Sequence, residues 1–479
     1  MKSFANHDAT ALAELVRKKE VSSEELLDEA LESAHAAQDE LNCFSQFFED
    51  AARQTLKNGV PDGPFAGVPF ATKDLGVRLK GQPLTSGSRA FRDTVAEYDS
   101  TLAARYREAG LVIFAQTTSP EFGLTTSTES ALYGQTRNPW NTAHTSGGSS
   151  GGASATVASG VIPMAHASDG GGSIRIPAAC TGLVGLKPSR GRVPMGPPMS
   201  ENWFGLSTNH CVSHSVRDSA TLLDATHGIE PGARYVAPTP ETSFLAASQA
   251  DPKPLKIALW TTAPNGVTPD KEAAAGMKTT GELLASLGHH VEEAGPTFDG
   301  EALGKGMMMI VSSFMASVAD EREQTLGRKI GAQDFEPVSM RFIELGRTIP
   351  MSELVKTNNA FALAAHAFET FMDKGGYDLI LAPTLARPPV ELGVLSLDPA
   401  DFDAYGEAVT GFAPFCPVFN QTGWPAISLP LHQTADNLPL GMMFGARLGR
   451  EDLLYALAGQ IERAAPWTGR RPPVWFGGD

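Results

Sequence analysis

Apolar and polar positions follow two periods along this chain, and the places where one gives way to the other mark its elements. From Asp8 onward, Ala11, Leu12, Leu15 and Val16 repeat at helical spacing, with Asp8 placed to cap the first turn. Ser22 and Glu25 stand three apart ahead of Leu26 and Leu27, the spacing of a capping box, so a second helix opens there. Residues 8–55 therefore read as a helical N-terminal layer. The apolar run 65–70, broken by Gly67 and Pro69, reads as a buried strand or strand end, with Lys73 and Asp74 directly after it. Residues 101–109 read as a helix ended by Gly110, and 111–115 as a strand buried on both faces. A helix followed by a buried strand, more than once, predicts an α/β layered core.

Residues 145–194 break this rhythm. Thr145-Ser-Gly-Gly-Ser-Ser-Gly-Gly152 leads into a helix over 153–159, a strand-like 161–164, and a loop over 169–177 that begins Asp169-Gly-Gly-Gly-Ser173. Two serine-glycine clusters are thus set at neighbouring element ends. Beyond Pro/Gly-rich connections at 192–199 and 230–240, the pattern predicts a strand at 255–260 and a helix at 271–287. A mostly helical stretch follows over 300–375, with Met307, Met308, Met309 and Met315 on one face. A buried strand at 377–384, a strand pair at 426–430 and 440–444, and a closing helix at 451–464 complete the chain. No internal repeat is present.

Composition narrows the classes. With 479 residues, 42% hydrophobic and 19% charged, the chain can fill a large core, which excludes wholesale disorder. Its 48 glycines and 34 prolines require many turns. A net charge of −16 repels phosphate backbones and anionic lipid, so neither nucleic acid nor a membrane surface is an expected partner. The opening Met1–Asp8 lacks the apolar centre of a signal peptide, and the most apolar stretch, 307–319, is too short to span a bilayer. Cys43, Cys180, Cys211 and Cys416 are scattered without a CxxC pair, which points to free thiols in a reducing cytoplasm.

Three segments carry candidate chemistry, each with a plainer alternative. Gly170, Gly171 and Gly172 can turn their N–H groups toward one point, and Ser173 directly after them would reach the same carbonyl carbon; the alternative is an ordinary turn. Ser149 sits among glycines that leave room for unusual backbone geometry; the alternatives are a flexible linker and the Gly147-x-Ser149-x-Gly151 elbow of an α/β-hydrolase. Lys73 follows an apolar run. A free lysine near pKa ~10.4 is almost never neutral at pH 7, but burial worth ~4 kcal/mol would make it a base. The alternative is a surface lysine paired with Asp74. The eleven histidines form no persuasive triad, and His210 and His214 have metal-like spacing without a partner motif. Phosphate-binding glycine motifs are absent, so neither a metal nor a nucleotide cofactor is expected.

Taken in order and spacing, these segments resemble the amidase signature family. The resemblance rests on Gly67-Val-Pro-Phe-Ala-Thr-Lys73-Asp74, Gly147-Gly-Ser149-Ser-Gly-Gly152, Asp169-Gly-Gly-Gly-Ser173-Ile-Arg175-Ile-Pro177, Gly182-Leu-Val-Gly-Leu-Lys-Pro-Ser189 and Phe419-Asn-Gln-Thr-Gly-Trp-Pro-Ala-Ile-Ser428. It runs from about residue 8 to 473 and is weakest between about 235 and 375. The two ends, including Ala131–Asn141, Gly449–Leu454 and Ala465–Trp467, look most like the 6-aminohexanoate-cyclic-dimer hydrolase branch.

The resemblance implies one domain over 1–479, built as an α/β fold with a large mixed twisted sheet covered by helices on both faces, and with residues ~235–400 forming a variable substrate-side wall. It implies Ser173 as nucleophile, Ser149 as a bridging serine held by a cis peptide after Gly148, Lys73 as base, and Gly170, Gly171 and Gly172 as oxyanion donors. Gly170 stands where a larger residue is often found, which predicts a looser oxyanion loop. The implied activity is hydrolysis of a neutral, partly apolar linear, cyclic or aryl amide, or a carbamate, through an acyl-enzyme. Phe70, the Gly123 segment, the Met-rich stretch and the loop 412–424 are the expected pocket walls. The partner is a small-molecule amide, no cofactor is called for, and a homo-oligomer is left open. Two rivals share the scaffold: a glutaminase-type amidotransferase A subunit and a non-catalytic binding protein.

Overall fold

Asp8 and Ser22 cap the first two helices as their spacing requires. Ala11 N–H donates to Asp8 Oδ1 at 2.9 Å, opening Ala9–Arg17, and the reciprocal Ser22–Glu25 box opens Ser23–Leu41. The computed structural model describes residues 6–478, so Met1–Ala5, part of the segment read for a signal peptide, lie outside the described residues. The N-terminal layer is not wholly helical. Phe44–Phe47 is a strand, paired antiparallel with Val112–Thr117, which in turn pairs parallel with Pro69–Lys73.

Beside this three-stranded sheet lies a mixed sheet of eight. Its order is His290–Glu293, Lys256–Leu259, Leu379–Pro383, Pro439–Gly445, Ala426–Gln433, Val184–Lys187, Thr208–Ser213 and Met164–Asp169. Lys256–Leu259 runs parallel to both of its neighbours, and the remaining pairings are antiparallel. Successive side chains of one strand face opposite ways, and Pro439–Gly445 shows helices on both sides. Gly441 abuts Ala179 of the Arg175–Thr181 helix, whereas Met442 reaches Gly276 of the Lys271–Ser286 helix. The expected α/β architecture is therefore present, and the strand pair at the end and the closing Glu451–Ala464 helix stand where the pattern put them. Several elements go beyond it, among them the strands Val184–Lys187, Thr208–Ser213 and His290–Glu293, the helices Val216–Thr226 and Phe402–Phe412, and the Arg175–Thr181 helix in a stretch that reads as loop.

The helix containing the Met-rich face is longer than its apolar centre. Gly300–Leu326 has 27 residues and a mean hydropathy of 1.4 over its most apolar window, so by length and composition it could cross a membrane. In the fold it packs against Pro337–Gly346 and Met351–Gly375, with Gly306 set against Phe361 and Ile310 and Met315 buried. The strands Pro69–Lys73 and Met164–Asp169 meet where the two sheets adjoin, and His166 Nδ1 accepts the Lys73 N–H at 3.1 Å. Burial drives the His166 value down to about 3, so its ring is a neutral strut between the sheets.

Candidate active site

Lys73 is the last residue of its strand and is completely buried. Its Nζ donates to Ser149 Oγ at 2.7 Å and to Ser168 Oγ at 2.9 Å. Burial lowers the lysine to about 7, and the charges of Asp169 and Asp74 oppose that shift without cancelling it. The surface pair with Asp74 does not exist. Asp74 is itself buried and accepts from Thr85 N–H and hydroxyl, Gly87 N–H and Ser86 N–H, so it ties down the loop after the strand. Burial pushes its carboxyl up to about 6.

The Ser149 cluster is a tight turn and no linker. It joins Asn141–Thr145 to the helix Gly151–Ala158. Gly147 and Gly148 take φ of 82° and 41°, a region glycine enters freely. Thr128 fastens the turn by donating to Gly148 O and accepting from Gly151 N–H, at 2.8 and 2.9 Å. The expected cis bond after Gly148 is not there: the cis bonds among the described residues are Gly196–Pro197 and Pro197–Pro198. The two positive-φ glycines make the reversal with a trans peptide, the ordinary state for a non-proline bond. Gly148 lies against the second cluster, since a Cβ built there would stand 3.3 Å from Ser173 Cα.

Asp169 organises that second cluster. Its carboxylate accepts from Gly172 N–H at 2.7 Å, from Ile174 N–H at 3.1 Å, and from Nε and Nη2 of Arg175 at 3.0 Å each. Asn420 Nδ2 donates to Asp169 Oδ1 and O, and Arg175 donates to Asn420 Oδ1 at 2.7 Å. Burial works to raise the Asp169 value, yet Arg175 overcomes it and holds the carboxyl at about 2. This network corrects one expectation. The Gly172 N–H is already committed to Asp169, which leaves the N–H groups of Gly170, Gly171 and Ser173 without a protein acceptor among the described residues. Ser173 is half-buried and its hydroxyl makes no hydrogen bond to protein, so it is not joined to Ser149 in this state.

Ser149, Ser168 and Ser173 lie on the wall of one cavity of about 460 Å³, together with Gly170 and Gly171. The remaining wall is largely apolar, with Phe122, Leu124, Met307, Met308, Phe314 and Phe342, and no Asp, Glu, Lys, Arg or His side chain contributes to it. Gly123 is there as expected, with φ of 71° and room for no more than hydrogen: a Cβ would come within 3.0 Å of Ser149 Oγ. The other wall expectations divide. Met307 and Met308 face the cavity, but Met315 packs in the core beneath it. Phe70 points into the core with Tyr106, because its strand is buried on both faces. Of the loop 412–424 only Pro417 reaches the cavity, while Tyr405 and Val409 from the Phe402–Phe412 helix do. Sequence reasoning also missed Ser168 and the parts played by Asp169, Arg175 and Asn420. The last three stand inside the quoted motifs, and a buried Asp–Arg pair six residues apart was the available signal.

Among the described residues no three His, Cys, Asp or Glu side chains gather in a way that could hold a metal. His210 instead bonds Ser219 Oγ and Tyr455 OH in the core.

Three comparisons bear on this arrangement. The amidase family profile matches residues 25–455. The 6-aminohexanoate-cyclic-dimer hydrolase of Paenarthrobacter ureafaciens is 37% identical over 98% of this chain and 96% of its own length. A putative amidase, AmiC, of Mycobacterium tuberculosis (strain ATCC 25618 / H37Rv) is 35% identical over 96% of this chain and 95% of its own length. Among solved structures, 6-aminohexanoate cyclic dimer hydrolase superposes with a TM-score of 0.92 at 35% identity, covering 98% of this chain and 99% of that one. A bacterial aryl acylamidase of the amidase signature family follows with a TM-score of 0.84 at 27% identity, covering 97% of this chain and 99% of that one.

Proposed function

The chain belongs to the amidase signature family and is an amidase, and from that premise we propose that it cleaves a neutral, partly apolar amide or carbamate through Lys73, Ser149 and Ser173. The observation that carries the reading is the buried Lys73, brought to about 7 and hydrogen-bonded to Ser149 Oγ at the wall of a cavity that also exposes Ser173.

Neutral Lys73 takes the Ser149 proton while Ser149 takes the proton of Ser173. A turn of either serine side chain, once substrate fills the cavity, completes that relay. Ser173 Oγ bonds to the carbonyl carbon, and the oxygen gains negative charge against the N–H groups of Gly170, Gly171 and Ser173. As the C–N bond breaks, the proton returns from Lys73 through Ser149 to the leaving nitrogen. Water then attacks the ester by the same relay and frees the acid. The absence of charged side chains from the cavity wall supports an uncharged substrate, since a charge buried there would find no partner. Two relatives have names that fit a cyclic or an aryl amide.

A fluorophosphonate probe, followed by peptide mapping, tests the reading. The expected adduct is on Ser173, is lost in Lys73→Ala, and is accompanied by loss of amide turnover in Ser173→Ala. An adduct on Ser149, or undiminished turnover in Ser173→Ala, overturns it. Glutaminase activity that appears only with added partner subunits would replace it with an amidotransferase subunit.

A further inference from the structure

Resting on the reading of Ser173 as nucleophile, we propose that Trp203 is a specificity-determining residue that screens bulk beside the scissile carbonyl, and that position 170 is glycine to make room for it. Gly170 lies outside the left-handed region, so no positive φ calls for glycine there. What excludes a side chain is the indole. A Cβ built on Gly170 meets Trp203 Cε3 and Cζ3 at 2.8 Å, and the next atom, Ser207 Oγ, is 3.6 Å away. Gly172 is different: its φ of 136° and its closeness to Ile176 and Cys416 both require glycine. The oxyanion loop is therefore not loosened at Gly170, as the sequence suggested, because a tryptophan from another segment fills the space.

The indole reaches that place on an unusual support. Trp203 and the next residue, Phe204, both have positive φ, 51° and 54°, a conformation that non-glycine residues seldom hold unless their surroundings impose it. Those surroundings are present. Asn202 Oδ1 accepts the Trp203 N–H at 2.9 Å, and Arg190 Nε donates to Gly205 O at 2.6 Å. The same guanidinium donates to Asn420 O and Gln421 O, at 2.7 and 3.0 Å. Asn420 also holds Asp169, so the turn carrying Trp203 and the loop carrying Ser173 hang on one frame. On its other side the indole meets Phe314 edge-on, with ring centroids 6.3 Å apart. Met307 Cε lies 3.7 Å from a Cβ built on Gly171. Trp203 and Met307 thus stand over the two glycines whose N–H groups are free, and any group flanking a carbonyl seated there must pass the indole.

The test is a double-mutant cycle on Trp203→Ala and Gly170→Ala. The readout is kcat/KM with two matched substrate pairs: anilides with a straight or an α-branched acyl group, and amides with a straight or a branched leaving amine. Trp203→Ala is expected to raise the branched-to-straight ratio at least about tenfold in one pair. Gly170→Ala is expected to lower kcat/KM at least about tenfold when Trp203 is present and less than about threefold in the Trp203→Ala background, because the methyl then has space. An unchanged ratio in both pairs, or an equal cost of Gly170→Ala in the two backgrounds, overturns the proposal. Should Trp203→Ala not fold, Trp203→Phe serves, since its smaller ring leaves the Gly170 methyl more room and the cycle is read in the same way. If the wild-type protein gives no Ser173 adduct and no amide turnover, the reading of the site fails; with both present and no coupling, this inference alone fails.

Discussion

Acid should switch this site off by protonating Lys73, and the buried position of that lysine sets the scale. A lysine in water is neutral about once in a few thousand molecules at pH 7. At about 7 in the folded protein, Lys73 is neutral in half the molecules, and near pH 5 in about one in a hundred. With an uncharged substrate, kcat/KM should be half-maximal near pH 7 and fall about tenfold per unit below it. The phosphonate labelling rate at Ser173 should follow the same limb, which removes the substrate from the interpretation. Asp74, at about 6, lies next in the chain and would also cost activity when protonated. Temperature separates them: an ammonium gives up its proton more easily on warming and a carboxyl hardly changes, so the limb should shift to lower pH.

The same shift predicts stability with a definite sign. In the unfolded chain Lys73 binds its proton up to about 10.5, whereas in the folded chain it releases it near 7, so protons favour unfolding between those values. Wild-type stability relative to Lys73→Met is then lowest at and below pH 7 and rises by about 1.4 kcal/mol per unit above it, about 3 kcal/mol by pH 9, read by urea unfolding. A pH-independent labelling rate from about pH 5 to 8, or a wild-type stability that does not rise relative to Lys73→Met between about pH 7 and 9, refutes the reasoning.

The other predictions follow from single contacts. Gly123→Ala puts a methyl 3.0 Å from Ser149 Oγ in a backbone with φ of 71°, and should lower kcat by about ten- to a hundredfold with a smaller change in KM. Arg175→Met leaves Asp169 buried without its partner, and should cost about 3–5 kcal/mol in urea unfolding as well as activity. Cys43, Cys180, Cys211 and Cys416 are free and buried, and burial pushes Cys43 and Cys416 up to about 12. A thiol reagent should therefore modify none of the four in the native protein and leave turnover unchanged. Adding a carboxylate or ammonium to a good substrate should lower kcat/KM by about a hundredfold or more, since the cavity wall offers it no counter-charge.

What could be read from the chain and what could not follow a physical line. Caps and buried strands were legible because their causes are local: Asp8, the Ser22–Glu25 box and the run ending at Lys73 act over a few residues. Lys73, Ser149 and Ser173 were legible as candidates because their motifs set each of them beside glycines or apolar residues, and all three stand at or beside one cavity. The pocket was legible only in part, at Gly123, Met307 and Met308, because its walls come from distant segments, among them those near 122–126, 203, 304–314, 342 and 405–410, whose facing directions depend on packing. Phe70 shows the limit well. It is apolar and three residues from the base, yet a strand buried on both faces sends it into the core.

Glycine was the hardest residue to interpret from sequence, because its reason can lie in the backbone or in a neighbour. In the run 170–172 two glycines have different causes. Gly172 needs its positive φ and its closeness to Cys416, and Gly170 yields its space to Trp203, whereas a Cβ on Gly171 would make only ordinary contact with Met307 at 3.7 Å. The Gly172 cause lies in the turn itself, and the Gly170 cause is set from outside the motif, by a turn 33 residues on. A motif shared across a family thus fixes where the carbonyl is held, while the residues leaning on its glycines decide what may flank it. Specificity here should accordingly respond to substitutions at Trp203 and Met307 more than to any change within Asp169–Ser173 that leaves the nucleophile in place.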